Sequence, residues 1–196
     1  HAALWMLVYN ALAFGLQAPL GALADALDDV RPVAILGLGL VAVGAMARER
    51  FLIAILLLGA GNALFHVGGA VGVLRHRPGD ALYAGIYVAP GALGVAAGIL
   101  LAASGGLSSA LCILLLLICV FLIIAVGPGA VRNTAVEVTP HEPLSLGAGA
   151  ILLCLASIGV RSFAGFSAEL PELIFLGGLA SFSGKLFGGV FARKFN

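Results

Sequence analysis

Charge is what this chain of 196 residues has least of: 10 Lys and Arg and 9 Asp and Glu, 10% of the sequence, against 62% hydrophobic residues. A water-soluble domain carries about 25% charged and about 45–50% apolar residues, so a chain of this composition could not cover its own surface in water. The near-neutral balance of +1 provides no basic footprint for nucleic acid. Three cysteines, at 112, 119 and 154, form no CxxC pair, and the four histidines, at 1, 66, 76 and 141, have no ligand spacing; neither a disulfide nor a metal site is indicated. One Trp and three Tyr offer little for a chromophore pocket. No catalytic constellation is visible, so an enzyme is not expected, nor is a cofactor.

What is abundant is long apolar sequence, and the mean hydropathy of +1.16 fits a membrane protein. Most of the charges stand in tight groups: Asp25 to Arg31, Arg48 to Arg50, Arg75 to Asp80, Arg132 to Glu142, Glu169 with Glu172, and Arg193 with Lys194. Between them lie seven apolar runs, His1 to Ala24, Val33 to Ala47, Phe51 to Leu74, Ala81 to Ala103, Leu107 to Gly127, Leu144 to Ala168 and Leu173 to Ala192. A helix crosses a hydrocarbon core of about 30 Å with about 20 apolar residues. The expectation is therefore an all-α polytopic membrane protein with about seven spans, the short second run being helped by snorkelling of Arg31 and Arg48. The first run is too long, and lacks the basic start, for a secretory signal peptide.

Lys and Arg in the short loops set orientation. Arg31, Arg75, Arg77, Arg132, Arg193 and Lys194 fall on one side and Arg48 and Arg50 on the other, so the first side, with the C-terminal end, is expected in the cytoplasm of a cell (inner) membrane. A further helix before His1 would place the amino terminus in the cytoplasm as well; the start on His and the stop after a basic pair fit a truncated chain.

Polar groups are sparse enough to name. Asn10, Phe14, Gln17 and Gly21 share one face of the first run; Gly59, Asn62, His66 and Gly69 form one stripe on the third. Tyr83, Tyr87, Gly91, Gly94 and Gly98 lie on roughly one side of the fourth, with Pro90 among them. Val33–Ala47 and Ala110–Val126 contain no strongly polar side chain and are expected to face lipid all round. The pairs Gly68/Gly72, Gly94/Gly98 and Gly184/Gly188 have the GxxxG spacing that lets helices approach where lipid gives no hydrophobic drive to associate. Dinucleotide-like glycine spacings lie inside apolar helices with no preceding strand. The period of three between featureless helices suggests the repeated units of transporters.

On these residues the chain resembles the major facilitator superfamily. The loop after the first run matches the family's hallmark at Gly21, Asp25 and Arg31 and departs from it at Ala26 and Asp28; Gly184 to Lys194 looks like the equivalent loop of the second half, with Arg193 where an Asp is usual. Pro90, Gly91 and Gly94 echo the fifth-helix antiporter motif, a helix-packing element, and Gly61-Asn62-Ala63-Leu64-Phe65-His66 is similar to the fosmidomycin-resistance efflux branch. Ile55 replaces the usual fourth-helix arginine. The resemblance implies the second to eighth helices of a twelve-helix, two-bundle fold: residues 1–127 from the first bundle, 128–144 a cytoplasmic linker, 145–196 the start of the second. It implies a secondary active transporter that moves a small molecule by alternating access, as a proton-coupled efflux antiporter, with lipid and protons as its other partners. Asp25, Arg31 and Arg75 would form a charge cluster latching the inner gate; ordinary topology-setting charges explain Arg31 and Arg75 equally.

The expected substrate and proton pathway comprises Asn62, His66, Arg161, Asn10 and Gln17. His66 has the one intramembrane side chain whose unperturbed pKa lies near neutrality, so it either carries a proton or hydrogen-bonds a neighbouring helix. Arg161 inside an apolar run faces a cavity, where an anionic substrate group could pair with it, or Glu169. Asn10 and Gln17 are cavity candidates or interhelical hydrogen bonds, and Lys185 can snorkel to the interface. A seven-helix receptor or retinal-type pigment is the alternative class.

Overall fold

The computed structural model describes residues 2–47, 49–106, 108–126, 152, 156 and 171–195. These are helical, with no strand among them. The elements are α1 (Ala2–Gly15), α2 (Gln17–Asp25), α3 (Arg31–Met46), α4 (Phe51–His76), α5 (Ala81–Ala103), α6 (Ser109–Val126) and α7 (Pro171–Phe195). Four stretches are long and apolar enough to cross a membrane: Leu4–Asp25, Phe51–His76, Ala81–Ala103 and Glu172–Lys194. Arg31–Met46 and Ala110–Ala125 are shorter apolar helices. Of the expected span at 144–168 only residues 152 and 156 are described, both helical, and the expected linker at 128–144 lies outside the described residues.

Helix ends follow local chemistry. Pro19 has no N–H to return to the Gly15 carbonyl, and the first run breaks into α1 and α2 at Leu16, one turn upstream. Hydrogen bonds from Leu16 N–H to Leu12 O (3.3 Å) and from Leu20 N–H to Leu16 O (3.0 Å) carry the chain across the break. Pro32 sits in the first turn of α3, where a missing N–H costs nothing. Asp80 caps α5 by accepting from Leu82 N–H at 3.0 Å, and Ser108 Oγ accepts from Leu111 N–H at 3.3 Å ahead of α6. The tight turn between α5 and α6 uses Gly105 and Gly106 at φ +106 and +79, a region open to glycine.

Packing is built on glycine and alanine. α3 and α4 run antiparallel with their backbones in contact: a Cβ on Gly61 would lie 2.7 Å from Gly37 O, and one on Gly68 would lie 2.6 Å from Ala34 N. At the far end of this seam Gly44 meets Leu57 and Leu58. The expectation that α3 faces lipid all round is therefore corrected. Ala34, Gly37, Leu38 and Gly44 are buried, because a row of small residues makes a contact face without any polar group. α1 and α2 run parallel to α4, with Gly59 against Leu12 and the Tyr9 carbonyl, and Trp5 edge-on to Phe51 at 5.3 Å. Ala24, Val30 and Val67 form a small apolar core at the other end.

A second close seam joins α5 to α7, also antiparallel. A Cβ on Gly85 would lie 2.7 Å from Lys185 O, one on Gly189 would lie 2.9 Å from Ala81 O, and Gly178 meets Ala96. α5, which the sequence reading assigns to the first bundle, thus has its tightest seam with a helix assigned to the second. Between α4 and α5 the contact is thinner and runs through Phe65, His66, Gly69 and Tyr87.

This order sorts the charges. Arg31, Arg75, Arg77, Arg193 and Lys194 share one end of the helices, tied together by contacts from Arg75 to the end of α2 and from Arg193 to Asp80. Glu49 and Arg50 lie at the other, beside Trp5 and Phe51. Large apolar side chains such as Leu7, Val95, Leu117, Phe121 and Phe191 stand more than half exposed, the outward surface expected of helices in lipid.

Candidate functional site

Two polar places stand out, one at the charged end and one within the apolar layer. At the charged end, Arg75 in the last turn of α4 reaches the carbonyl end of α2. Its guanidinium donates to Leu27 O at 2.6 Å, Ala24 O at 3.0 Å and Asp25 O at 3.3 Å. The last carbonyls of a helix have no partner within it and carry the negative end of its dipole, so a cation there satisfies both needs. Arg31 engages Asp29, two residues before it, through a forked contact: Nη2 to Oδ2 at 2.7 Å and Nε to both carboxylate oxygens at 3.0 Å. That hydrogen-bonded guanidinium holds the Asp29 carboxyl below its usual range. A depressed carboxylate stabilises the fold fully above its ordinary value near about 3.9, and the contribution fades as pH falls through the lowered value. Both side chains are about one-third exposed, so the pair mainly orients the loop.

The expected cluster of Asp25, Arg31 and Arg75 is thus brought together in part. Arg75 meets the backbone at Asp25, Arg31 is paired with Asp29, and Gly21 meets nothing within 4 Å among the described residues.

Within the apolar layer, the stripe on α4 divides between neighbours: Gly59 lies against α1, whereas His66 and Gly69 face α5. Gly69 leaves room for the Tyr87 ring and hydroxyl, where a Cβ would collide with both. The Tyr87 hydroxyl lies 3.3 Å from both Phe65 O and His66 O, to which it donates. The His66 and Tyr87 rings stand edge-on at 6.4 Å, with Phe65 at 5.8 Å from the His66 ring. From α7, Lys185 Nζ donates to Val88 O at 3.4 Å, the carbonyl next to Tyr87 on α5. Thus α4, α5 and α7 each bring one polar side chain, His66, Tyr87 and Lys185, to the thin junction between the α1–α4 group and the α5–α7 pair.

Other expected residues lie apart. Asn62, one turn along α4 from His66, is half-buried, and its side chain, like that of Asn10 on exposed α1 surface, makes no hydrogen bond among the described residues. Gln17 turns back on its own helix, Nε2 to Ala13 O at 2.8 Å, just before the Pro19 break. Pro90, Gly91 and Gly94 are not on the α5–α7 seam: Pro90 and Gly91 are exposed, and a Cβ on Gly91 or Gly94 meets nothing within 4 Å among the described residues. Gly85, Gly178 and Gly189 make that seam instead. Arg161 lies outside the described residues. Named in the sequence only as helix-end or loop charges and left out of the expected site are Asp80 and Arg193, paired at 3.5 Å across α5 and α7, and Arg77, stacked 5.5 Å from the Tyr83 ring. A cleft of about 480 Å³ lies at the opposite end, between Val43, Met46, Glu49, Arg50, Ile53 and Leu57, away from the polar junction.

No protein-family model, no curated protein and no solved structure matches this chain.

Proposed function

We propose that this chain is part of a secondary active transporter that moves a small molecule across a cell (inner) membrane by alternating access, by proton-coupled efflux of the major facilitator kind. The observation that carries the reading is the junction of α4 with α5 and α7. Glycine seams bind α3 to α4 and α5 to α7 backbone to backbone. The sparse intramembrane polar side chains His66, Tyr87 and Lys185 gather where these two groups meet loosely. Two rigid groups that rock about a polar midplane contact are what alternating access requires. A polar group placed there needs a partner or a water-filled path, so the junction is where a substrate would be held. The charge distribution supports a cytoplasmic position for the end bearing Arg75 and Arg193. Asp80 with Arg193 would then close the cytoplasmic side between α5 and α7, and Arg75 would keep the end of α2 in place while the groups move.

The reading is tested by flux. The full protein, reconstituted in proteoliposomes with an imposed pH gradient, is expected to give proton movement that depends on adding a transported compound from a panel of small organic solutes. His66→Gln is expected to reduce that coupled flux at least tenfold. Coupled flux at the starting level in His66→Gln would remove His66 from the pathway; absence of any compound-dependent proton movement would count against proton-coupled transport.

A further inference from the structure

Beyond the transport reading, and independent of it, we propose that the end bearing Arg77 and Arg193 binds an anionic phospholipid, its phosphate headgroup held by Arg77, Arg193 and Lys194 and an acyl chain lying along α7. The cations at this end divide into two kinds. Arg31 is engaged by the Asp29 carboxylate, and Arg75 by three carbonyls at the end of α2, so the fold itself accounts for both. The side chains of Arg77 and Lys194 are exposed and make no hydrogen bond or ion pair among the described residues. Arg193, its side chain 58% exposed, meets Asp80 at a long 3.5 Å, Nε to Oδ2. Its guanidinium makes no hydrogen bond among the described residues, so donors remain for a ligand.

Two of these cations converge on the start of α5. Arg77, at the end of α4, stands 5.5 Å from the Tyr83 ring, and Arg193, at the end of α7, reaches Asp80; residues three apart on a helix share a side. A tight turn fixes the approach, with Asp80 N–H donating to Arg77 O at 3.2 Å and Gly79 at φ +77. Asp80 is the one carboxylate in contact with these cations among the described residues, and its Oδ1 already accepts from Leu82 N–H. Three cations against one carboxylate leave an excess of two positive charges at the depth of the lipid phosphates. Apolar surface continues from them: Phe187, Phe191 and Lys194 are spaced by four and three, one stripe of α7, and the two rings are 56% and 60% exposed. An acyl chain against these rings brings its headgroup to Lys194. A phosphodiester shared by Arg77 and Arg193 ties the end of α4 to the end of α7 across α5, through charge-assisted hydrogen bonds. A zwitterionic headgroup carries its own cation, which the excess charge repels. Anionic lipids give the cytoplasmic leaflet its negative surface, and the cytoplasmic side is where the charge distribution orients this end.

The test is lipid retention by the delipidated full protein in a neutral maltoside detergent, read by native mass spectrometry against an equimolar mixture of dioleoyl phosphatidylglycerol and dioleoyl phosphatidylcholine. Phosphatidylglycerol is expected to be preferred by about tenfold or more. A cation near an anionic headgroup is worth about fivefold, so Arg77→Gln and Arg193→Gln are each expected to lower the preference by about that factor, and Arg193→Lys to keep most of it. Asp80→Asn, which retains a capping side chain and removes the competing charge, is expected to raise it. Arg50→Gln, one charge fewer at the opposite end, is expected to leave it unchanged. Arg77 and Arg193 are exposed, so their variants are expected to fold, and the gain in Asp80→Asn is a change that no folding defect would produce. Equal retention of the two lipids, a fall in Arg50→Gln as large as in Arg193→Gln, or a loss in Asp80→Asn would overturn the site. Glycerol 3-phosphate at millimolar concentration is expected not to displace phosphatidylglycerol; displacement would overturn the lipid as occupant in favour of a soluble phosphate.

Discussion

Gly61→Leu is expected to leave little folded protein. A side chain there has no room: its first carbon would lie 2.7 Å from Gly37 O and 2.9 Å from both the backbone nitrogen and a methyl of Val41. Two of those neighbours are backbone atoms of a helix already held by Gly37 against Phe65 and by Ala34 against Gly68, so rotation of a side chain cannot relieve the clash. Overpacking a soluble core costs about 1–3 kcal/mol and can cost more. In lipid, a separated α3 gains nothing by hydrophobic collapse back onto α4, so the expected loss is at or above about 3 kcal/mol. Gly39→Leu provides the control, since Gly39 lies on the partner helix α3, exposed and with nothing within 4 Å among the described residues. Thermal unfolding in detergent should show a large fall in Tm for Gly61→Leu and almost none for Gly39→Leu; equal values would mean that the α3–α4 seam is not close.

Arg75→Gln should release the end of α2. Three carbonyls at that end take hydrogen bonds from one guanidinium, and a charged donor is worth about 1.5–3 kcal/mol to a hydrogen-bonded partner. Partial exposure lowers the figure, so about 1–2 kcal/mol is the expected loss, concentrated locally. The amides that close this helix end, Ala26 to Leu23 O at 3.2 Å and Leu27 to Ala24 O at 3.0 Å, report on it directly. Hydrogen exchange at these two amides should rise about tenfold or more in Arg75→Gln and less in Arg75→Lys, which keeps the charge but not the fork. Exchange unchanged in Arg75→Gln would show that the α2 end holds itself.

Much of this architecture is legible before any coordinates, because helix ends in a membrane protein are written in charge. The group from Asp25 to Arg31 falls between α2 and α3, Arg75 to Asp80 falls between α4 and α5, and Asp80 itself proves to be a cap. What could not be read was which small residues touch. GxxxG spacing singled out Gly94 with Gly98, which face open space among the described residues, while Gly85 and Gly189, on two different helices, make the tight α5–α7 seam. Spacing within one helix cannot say which neighbour will arrive. The small-residue face of α3 was hidden for a related reason: a search for polar side chains passes over Ala34, Gly37 and Gly44. For the candidate site, the α4 stripe containing His66 was visible as a periodicity, but the approach of Lys185 depends on the fold bringing α7 beside α5.

That the α4 junction opens to both sides of the membrane by turns is tested most directly one turn along α4 from His66, at Asn62, which is half-buried on the same stripe. In a chain with Asn62→Cys as its one cysteine, a membrane-impermeant maleimide added to right-side-out vesicles and, separately, to inside-out vesicles is expected to label the position in both, with a substrate or pH condition that favours one side slowing the other. Labelling from one side alone under every condition, or from neither, would contradict alternating access.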